Sequence, residues 1–210
     1  MKKTGTAIIL CGGKSSRMGF DKSKYEINGK LLIEICAQKL SSIFEEVILV
    51  TKDVNKFKEL RYKVIGDNAG DYAPIFGVYN GLLISKSHFS FIIACDMPVI
   101  NLNYINYMIE RINSAGTELD ALISKNGRFI EPFYSFYSKS MLNKIKHNID
   151  KKDYKITNSI NMSNAEFINT EIIRLYTGSI DIFTNLNYPC DLEIFSGAFT
   201  EEFGLYDKKY

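Results

Sequence analysis

Apolar runs of strand length recur at Thr6 to Cys11, Val47 to Thr51, Lys63 to Ile65, Phe89 to Cys95, Leu119 to Ser124 and Phe133 to Tyr137. Segments of helical spacing lie between them. After the Asn28-Gly29 turn come Leu31, Ile35, Leu40 and Phe44, and further on Leu102, Ile105, Met108, Ile109 and Ile112. Parallel strands need a crossover, and the crossover is usually a helix, so this alternation predicts an α/β chain with a mostly parallel, Rossmann-like sheet covered on both faces. Such sheets bind ligands beyond the carboxyl ends of their strands. Gly12-Gly13 and Asp96, each directly after an apolar run, meet that demand.

A chain of 210 residues that is 46% hydrophobic closes one core more readily than two. The expected organisation is a single three-layer domain over 1-195, with a nucleotide-binding half at about 1-100, an acceptor half at about 101-195 and a tail at 196-210. The polar stretch from Lys139 to Asn169 reads as helix plus loops over a binding face. A net charge of +2 gives no basic field for nucleic acid. Cys11, Cys36, Cys95 and Cys190 lack metal-site spacing, and the N-terminal apolar run is too short for a signal segment or a membrane span. A cytoplasmic protein without nucleic-acid or membrane partners is the expectation.

The first run opens into Gly12-Gly13-Lys14-Ser15-Ser16-Arg17-Met18-Gly19-Phe20-Asp21-Lys22. Paired glycines at a strand end let successive N–H groups converge on phosphate oxygens, and Arg17 and Lys22 add a planar fork and a point charge. A Walker loop needs a glycine where this chain has Ile8, and the dinucleotide G-x-G-x-x-G spacing is also missing. A glycine turn with surface cations is the ligand-free alternative. Asp96-Met97-Pro98 ends the fourth run with a carboxylate suited to Mg²⁺ beside a triphosphate; its alternative is a turn cap. Asp67 can accept from a sugar or base, and Pro74 to Gly77 read as a tight turn whose backbone approaches the base, leading into a helix at Val78 to Ile84.

Together, Leu10-Cys11-Gly12-Gly13, Arg17-Met18-Gly19, Lys22, Pro74 to Gly77 and Cys95-Asp96-Met97-Pro98 resemble the molybdenum cofactor guanylyltransferases of the nucleotidyltransferase superfamily. Glu131-Pro132-Phe133 is similar to that family's Glu-Pro-Leu segment, and Asn185-Leu186-Asn187-Tyr188-Pro189 to its Asn-x-Asn-x-Pro motif. The family's Gly-Pro-Leu is Ala73-Pro74-Ile75 here. The likeness runs from Ala7 to Leu192 and implies a fold of the nucleotide-diphospho-sugar transferase type.

It also implies transfer of GMP from GTP to molybdopterin, or to its molybdenum-loaded form, with release of pyrophosphate. The implied catalytic residues are Arg17, Lys22 and Asp96, the last as Mg²⁺ ligand. The nucleotide site is implied at Leu10, Cys11, Gly12, Gly13, Arg17, Lys22, Asp67, Gly77 and Asp96, and pterin contacts at Glu131, Asn185 and Asn187. Molybdenum cofactor insertion proteins are implied as further partners. Lys151, Lys152 and Lys155 are candidates for a pterin phosphate, or else a solvated cluster. His88 and His147 fall in no motif, in keeping with an acceptor phosphate that is already ionised and needs no base. Two other readings stay open: a cytidylyltransferase or sugar-phosphate nucleotidyltransferase, and a non-catalytic nucleotide-binding module.

Overall fold

In a computed structural model, residues 2–12, 26–27, 29–67, 73–116 and 118–186 are described. The chain runs β1 (Lys2–Leu10), β2 (Glu26–Ile27), β3 (Lys30–Leu31), α1 (Leu32–Leu40), β4 (Glu46–Thr51), β5 (Lys63–Gly66), α2 (Pro74–Ile84) and β6 (Ser87–Ala94). It continues with α3 (Leu102–Ser114), β7 (Ala121–Asn126), β8 (Phe129–Ser138), α4 (Met141–Asp150), α5 (Ile156–Asn161), β9 (Ala165–Ile168) and α6 (Thr170–Thr177).

One seven-stranded sheet has the order β5-β4-β1-β6-β8-β7-β9, and β2 and β3 pair as a small ribbon. The pairs β5–β4, β4–β1, β1–β6 and β7–β9 are parallel, whereas β8 is antiparallel to both β6 and β7. The predicted, mostly parallel α/β fold is therefore observed, drawing strands from both halves of the chain.

Continuous apolar runs mark strands buried on both faces, and β1 shows why. Ala7 and Ile9 belong to the core that also holds side chains of α1, α3 and α6, while Ile8 and Leu10 belong to the one that holds side chains of α2, α4 and α5. Alternate side chains thus enter separate cores. The Lys139–Asn169 stretch resolves into α4, α5 and the short strand β9, which carries too few residues to show a period. No helix among the described residues is long and apolar enough to cross a membrane.

The expected turn at Pro74 to Gly77 is corrected. Pro74 sits in the first turn of α2, where its missing N–H costs nothing. Gly77 lies inside that helix, and a Cβ there would meet Leu10 Cδ2 at 3.1 Å and Val50 Cγ1 at 3.5 Å. Its lack of a side chain serves the approach of helix to sheet, not a base-facing turn.

The approach is closer still at Gly81, where a Cβ would meet Ile8 Cγ2 at 2.7 Å. That methyl belongs to a branched, fully buried side chain with little freedom to yield. Helix propensity returns up to about 1 kcal/mol for Gly→Ala, but overpacking costs about 1–3 kcal/mol. Gly81→Ala is expected to lower stability by about 1 kcal/mol or more in denaturant titration, and Gly77→Ala by less, because the Leu10 side-chain end can move.

The amino-terminal edge of the sheet carries a structural carboxylate. Asp120, just before β7, accepts from the Ser140 hydroxyl, from Asn164 N–H at 2.8 Å and from Lys144 Nζ at 3.1 Å. Burial pushes its carboxyl up, yet these donors outweigh burial and hold it below the ordinary 3.8. A carboxyl lowered in the folded state stabilises fully above its unfolded value and loses that stabilisation as pH falls through the folded one. Asp120→Asn is expected to be less stable at neutral pH and to show a flatter loss of stability below about pH 4 in acid titrations followed by circular dichroism.

Candidate functional site

Because β1, β4, β5 and β6 are parallel, their carboxyl ends share one edge of the sheet. The ladder runs on by one residue at three of them. Cys11 N–H donates to Val50 O at 2.7 Å, Cys95 N–H to Leu10 O at 3.0 Å and Asp67 N–H to Thr51 O at 2.7 Å. Leu10 and Ala94 are the last register partners of β1 and β6. Two residues beyond each stand Gly12 and Asp96, so the start of the glycine loop and the turn bearing the carboxylate both leave from neighbouring strand ends, which lie one strand spacing of ~4.8 Å apart.

The turn bearing Asp96 is held from several sides. Met97 N–H donates back to Ala94 O at 3.1 Å, and Met97 and Ile100 are buried. Asn101 N–H donates to the Tyr134 hydroxyl at 2.8 Å, while Asn101 Oδ1 caps α3 by accepting from Tyr104 N–H at 2.9 Å. From the far end of the chain, Leu186 N–H donates to Asp96 O at 2.8 Å. That bond fixes the Asp96 backbone at this edge, with its side chain half-buried.

The other expected contacts gather around this edge. Asp67 is buried, with Lys52 Nζ 3.5 Å from one carboxylate oxygen. On β8 the direction reverses, so its first residues reach the same edge as the last residues of β6. Glu131 is there, half-buried, its carboxyl pushed up first by burial and then by the charge of Asp181. Asn185 is exposed and donates to Phe183 O at 3.3 Å. The expected residues Leu10, Cys11, Gly12, Asp67, Asp96, Glu131 and Asn185 thus gather at one edge, and Gly77 lies beneath it in α2. Gly13, Arg17, Lys22 and Asn187 lie outside the described residues. Lys151, Lys152 and Lys155 are exposed around the α4–α5 turn, where Tyr154 packs on Phe76 at the start of α2 with ring centroids 5.0 Å apart.

Asp181 carries no motif, and it lies fifty positions from Glu131, so nothing in the sequence pairs them. It borders a 560 Å³ cleft with Asn126, Arg174 and Phe183 between the end of β7 and α6. Among the described residues no group of three or more His, Cys, Asp or Glu side chains could hold a metal ion. A cation bound here would draw on Asp96 and take its other ligands from phosphate and water, as Mg²⁺ does. A half-buried hard oxygen donor at a strand end suits that ion.

Residues 7–163 match the family model described as the MobA-like NTP transferase domain. A probable molybdenum cofactor guanylyltransferase of Peptoclostridium acidaminophilum is 40% identical over 204 residues, covering 96% of this chain and 92% of the relative. The molybdenum cofactor guanylyltransferase of Syntrophotalea carbinolica is 31% identical, covering 91% and 90%. Among solved structures, the molybdopterin-guanine dinucleotide biosynthesis protein A of Archaeoglobus fulgidus superposes with a TM-score of 0.80 at 24% identity, covering 93% of this chain and 99% of that one.

Proposed function

The chain belongs to the MobA-like NTP transferase domain family, and on that premise we propose that it transfers GMP from GTP to the terminal phosphate of molybdopterin, releasing pyrophosphate. The observation that carries this reading is the convergence of Gly12 and Asp96 on adjacent parallel strand ends. A glycine backbone that can surround phosphate oxygens and a carboxylate that can hold a cation are the parts that phosphoryl-type transfer needs, since it depends on alignment and charge neutralisation. The guanine and pterin assignments are supported by relatives named as guanylyltransferases over nine-tenths of the chain.

In this reading the N–H groups from Leu10 to Gly13, with Arg17 and Lys22, grip the triphosphate and neutralise charge moving onto pyrophosphate. Asp67, buried beside the edge, accepts from the ribose or base. Glu131, Asn185 and Asn187 orient the acceptor, whose phosphate meets the α-phosphorus in line. Asp96 would hold Mg²⁺, which when bound neutralises phosphate-oxygen charge. Molybdenum cofactor insertion proteins would receive the product, and the work would be done in the cytoplasm.

A pyrophosphate-release assay tests the reading with molybdopterin and each nucleotide in turn. Release with GTP should exceed that with CTP by at least about tenfold, the lower end of what one pocket contact discriminates. Equal rates would move the assignment to a cytidylyltransferase-like enzyme. Tight GTP binding without any release would leave a binding module.

A further inference from the structure

Two thiols stand directly behind the two groups that define the site. Leu10 and Ala94 close the β1–β6 register, and Cys95 N–H donates to Leu10 O, so Cys11 and Cys95 take the next positions on neighbouring parallel strands. Their side chains share one face: both pack against the cluster that holds Ile9, Ile93 and Cys36. Strand neighbours lie ~4.8 Å apart, inside the roughly 4.4–6.8 Å between Cα atoms that a disulfide spans. Cys11, Cys36 and Cys95 are not joined in disulfides.

Exposure separates the three. Cys11 and Cys95 are half-buried at the edge where the nucleotide enters, whereas Cys36 is 4% exposed beneath them in α1. The Cys11 thiol is raised first by burial, then by the proximity of Cys95 and, less, of Cys36. Burial holds Cys36 up at about 12. The order of influence on Cys11 agrees with the ladder, in which Cys95 takes the neighbouring position.

We propose that Cys11 and Cys95 form a reversible disulfide that closes the nucleotide site under oxidising conditions. Formation of the bond does not rest on the proposed function; its effect on turnover does. One thiol loses its proton to solvent and its sulfur attacks a low-molecular-weight disulfide, forming a mixed disulfide and releasing one small thiolate. The second sulfur then attacks the protein sulfur of that bond and releases the other small thiolate. The protein loses two electrons and two protons, and the small disulfide is reduced to two thiols. A raised thiol makes the first attack slow, over minutes to hours. The bridge ties the residue before Gly12 to the residue before Asp96, and so fixes the opening that a triphosphate must enter. Bound GTP should cover the same sulfurs.

The full chain is incubated with oxidised glutathione, with and without GTP, then digested and mapped by mass spectrometry. The expected result is a linked peptide pair carrying Cys11 and Cys95, slowed by GTP, reversed by dithiothreitol and absent in both Cys95→Ser and Cys95→Ala. The link should persist in Cys36→Ala. Nucleotide turnover of the bridged protein should fall at least about tenfold and return on reduction. Glutathione adducts without the linked pair, or a Cys11–Cys36 link instead, would overturn the proposal. So would a bridged protein that turns over GTP at the reduced rate. A chain that forms the link but never transfers GMP, oxidised or reduced, fails the functional reading alone.

Discussion

Asp96→Ala is expected to lower kcat at least about a hundredfold while leaving the fold intact. The magnitude comes from the role: removing one preorganised group that stabilises developing charge costs about 10²–10³ in rate, and here the group removed would also hold the cation. The fold should survive because what anchors this turn is backbone. Leu186 N–H and Met97 N–H bond to carbonyls that the substitution keeps, and the buried Met97 and Ile100 hold the segment down. Asp96→Asn isolates charge from shape and should lose nearly as much. Asp96→Glu keeps the charge on a longer arm, and should recover part of the rate at higher magnesium concentration. Kinetics for the three variants, with thermal midpoints within a few degrees of the parent, would establish the role. An alanine variant with more than half the parent rate would remove this carboxylate from the chemistry.

Much of this edge is legible in the sequence for a simple reason. A strand buried on both faces must be apolar throughout, and when it emerges the next residues are free to be polar, so Gly12 and Asp96 stand out by position. What stays illegible is direction. The run at Phe133 to Tyr137 looks like its neighbours, yet β8 is the reversed strand that brings Glu131 to the site. A local signal does exist: Asn126-Gly127 links two apolar runs, and Gly127, at φ 58, opens a two-residue turn at the position where type II′ hairpins favour glycine. Reading all runs as equivalent parallel strands hides it. β9 is hidden by its length, four residues with one buried side chain. Gly77 misleads because a glycine that a turn requires and one that a close helix requires look alike until the neighbours are known. Asp181 and the Cys11–Cys95 pair are contacts made by topology, which no local pattern encodes.

That same ambiguity of glycine makes Gly12 the more informative substitution. Gly77 and Gly81 have side-chain neighbours that a Cβ would strike, so changing them tests packing. At Gly12 a Cβ would meet no described atom within 4 Å, the residue is exposed, and its φ lies outside the left-handed region that favours glycine. Among the described residues nothing in the protein asks for glycine there. If a requirement exists, a ligand imposes it, because only a bare backbone lets N–H groups close on phosphate oxygens. Gly12→Val is therefore expected to keep stability within about 0.5 kcal/mol of the parent and to lose about a hundredfold in turnover, the cost of displacing reacting groups by about 1 Å. Gly12→Ala should fall between. Denaturant midpoints and steady-state kinetics on the same preparations separate the two effects. A valine variant as active as the parent would mean that the triphosphate keeps away from this backbone, and Gly12 would then do no more than carry the chain out of β1.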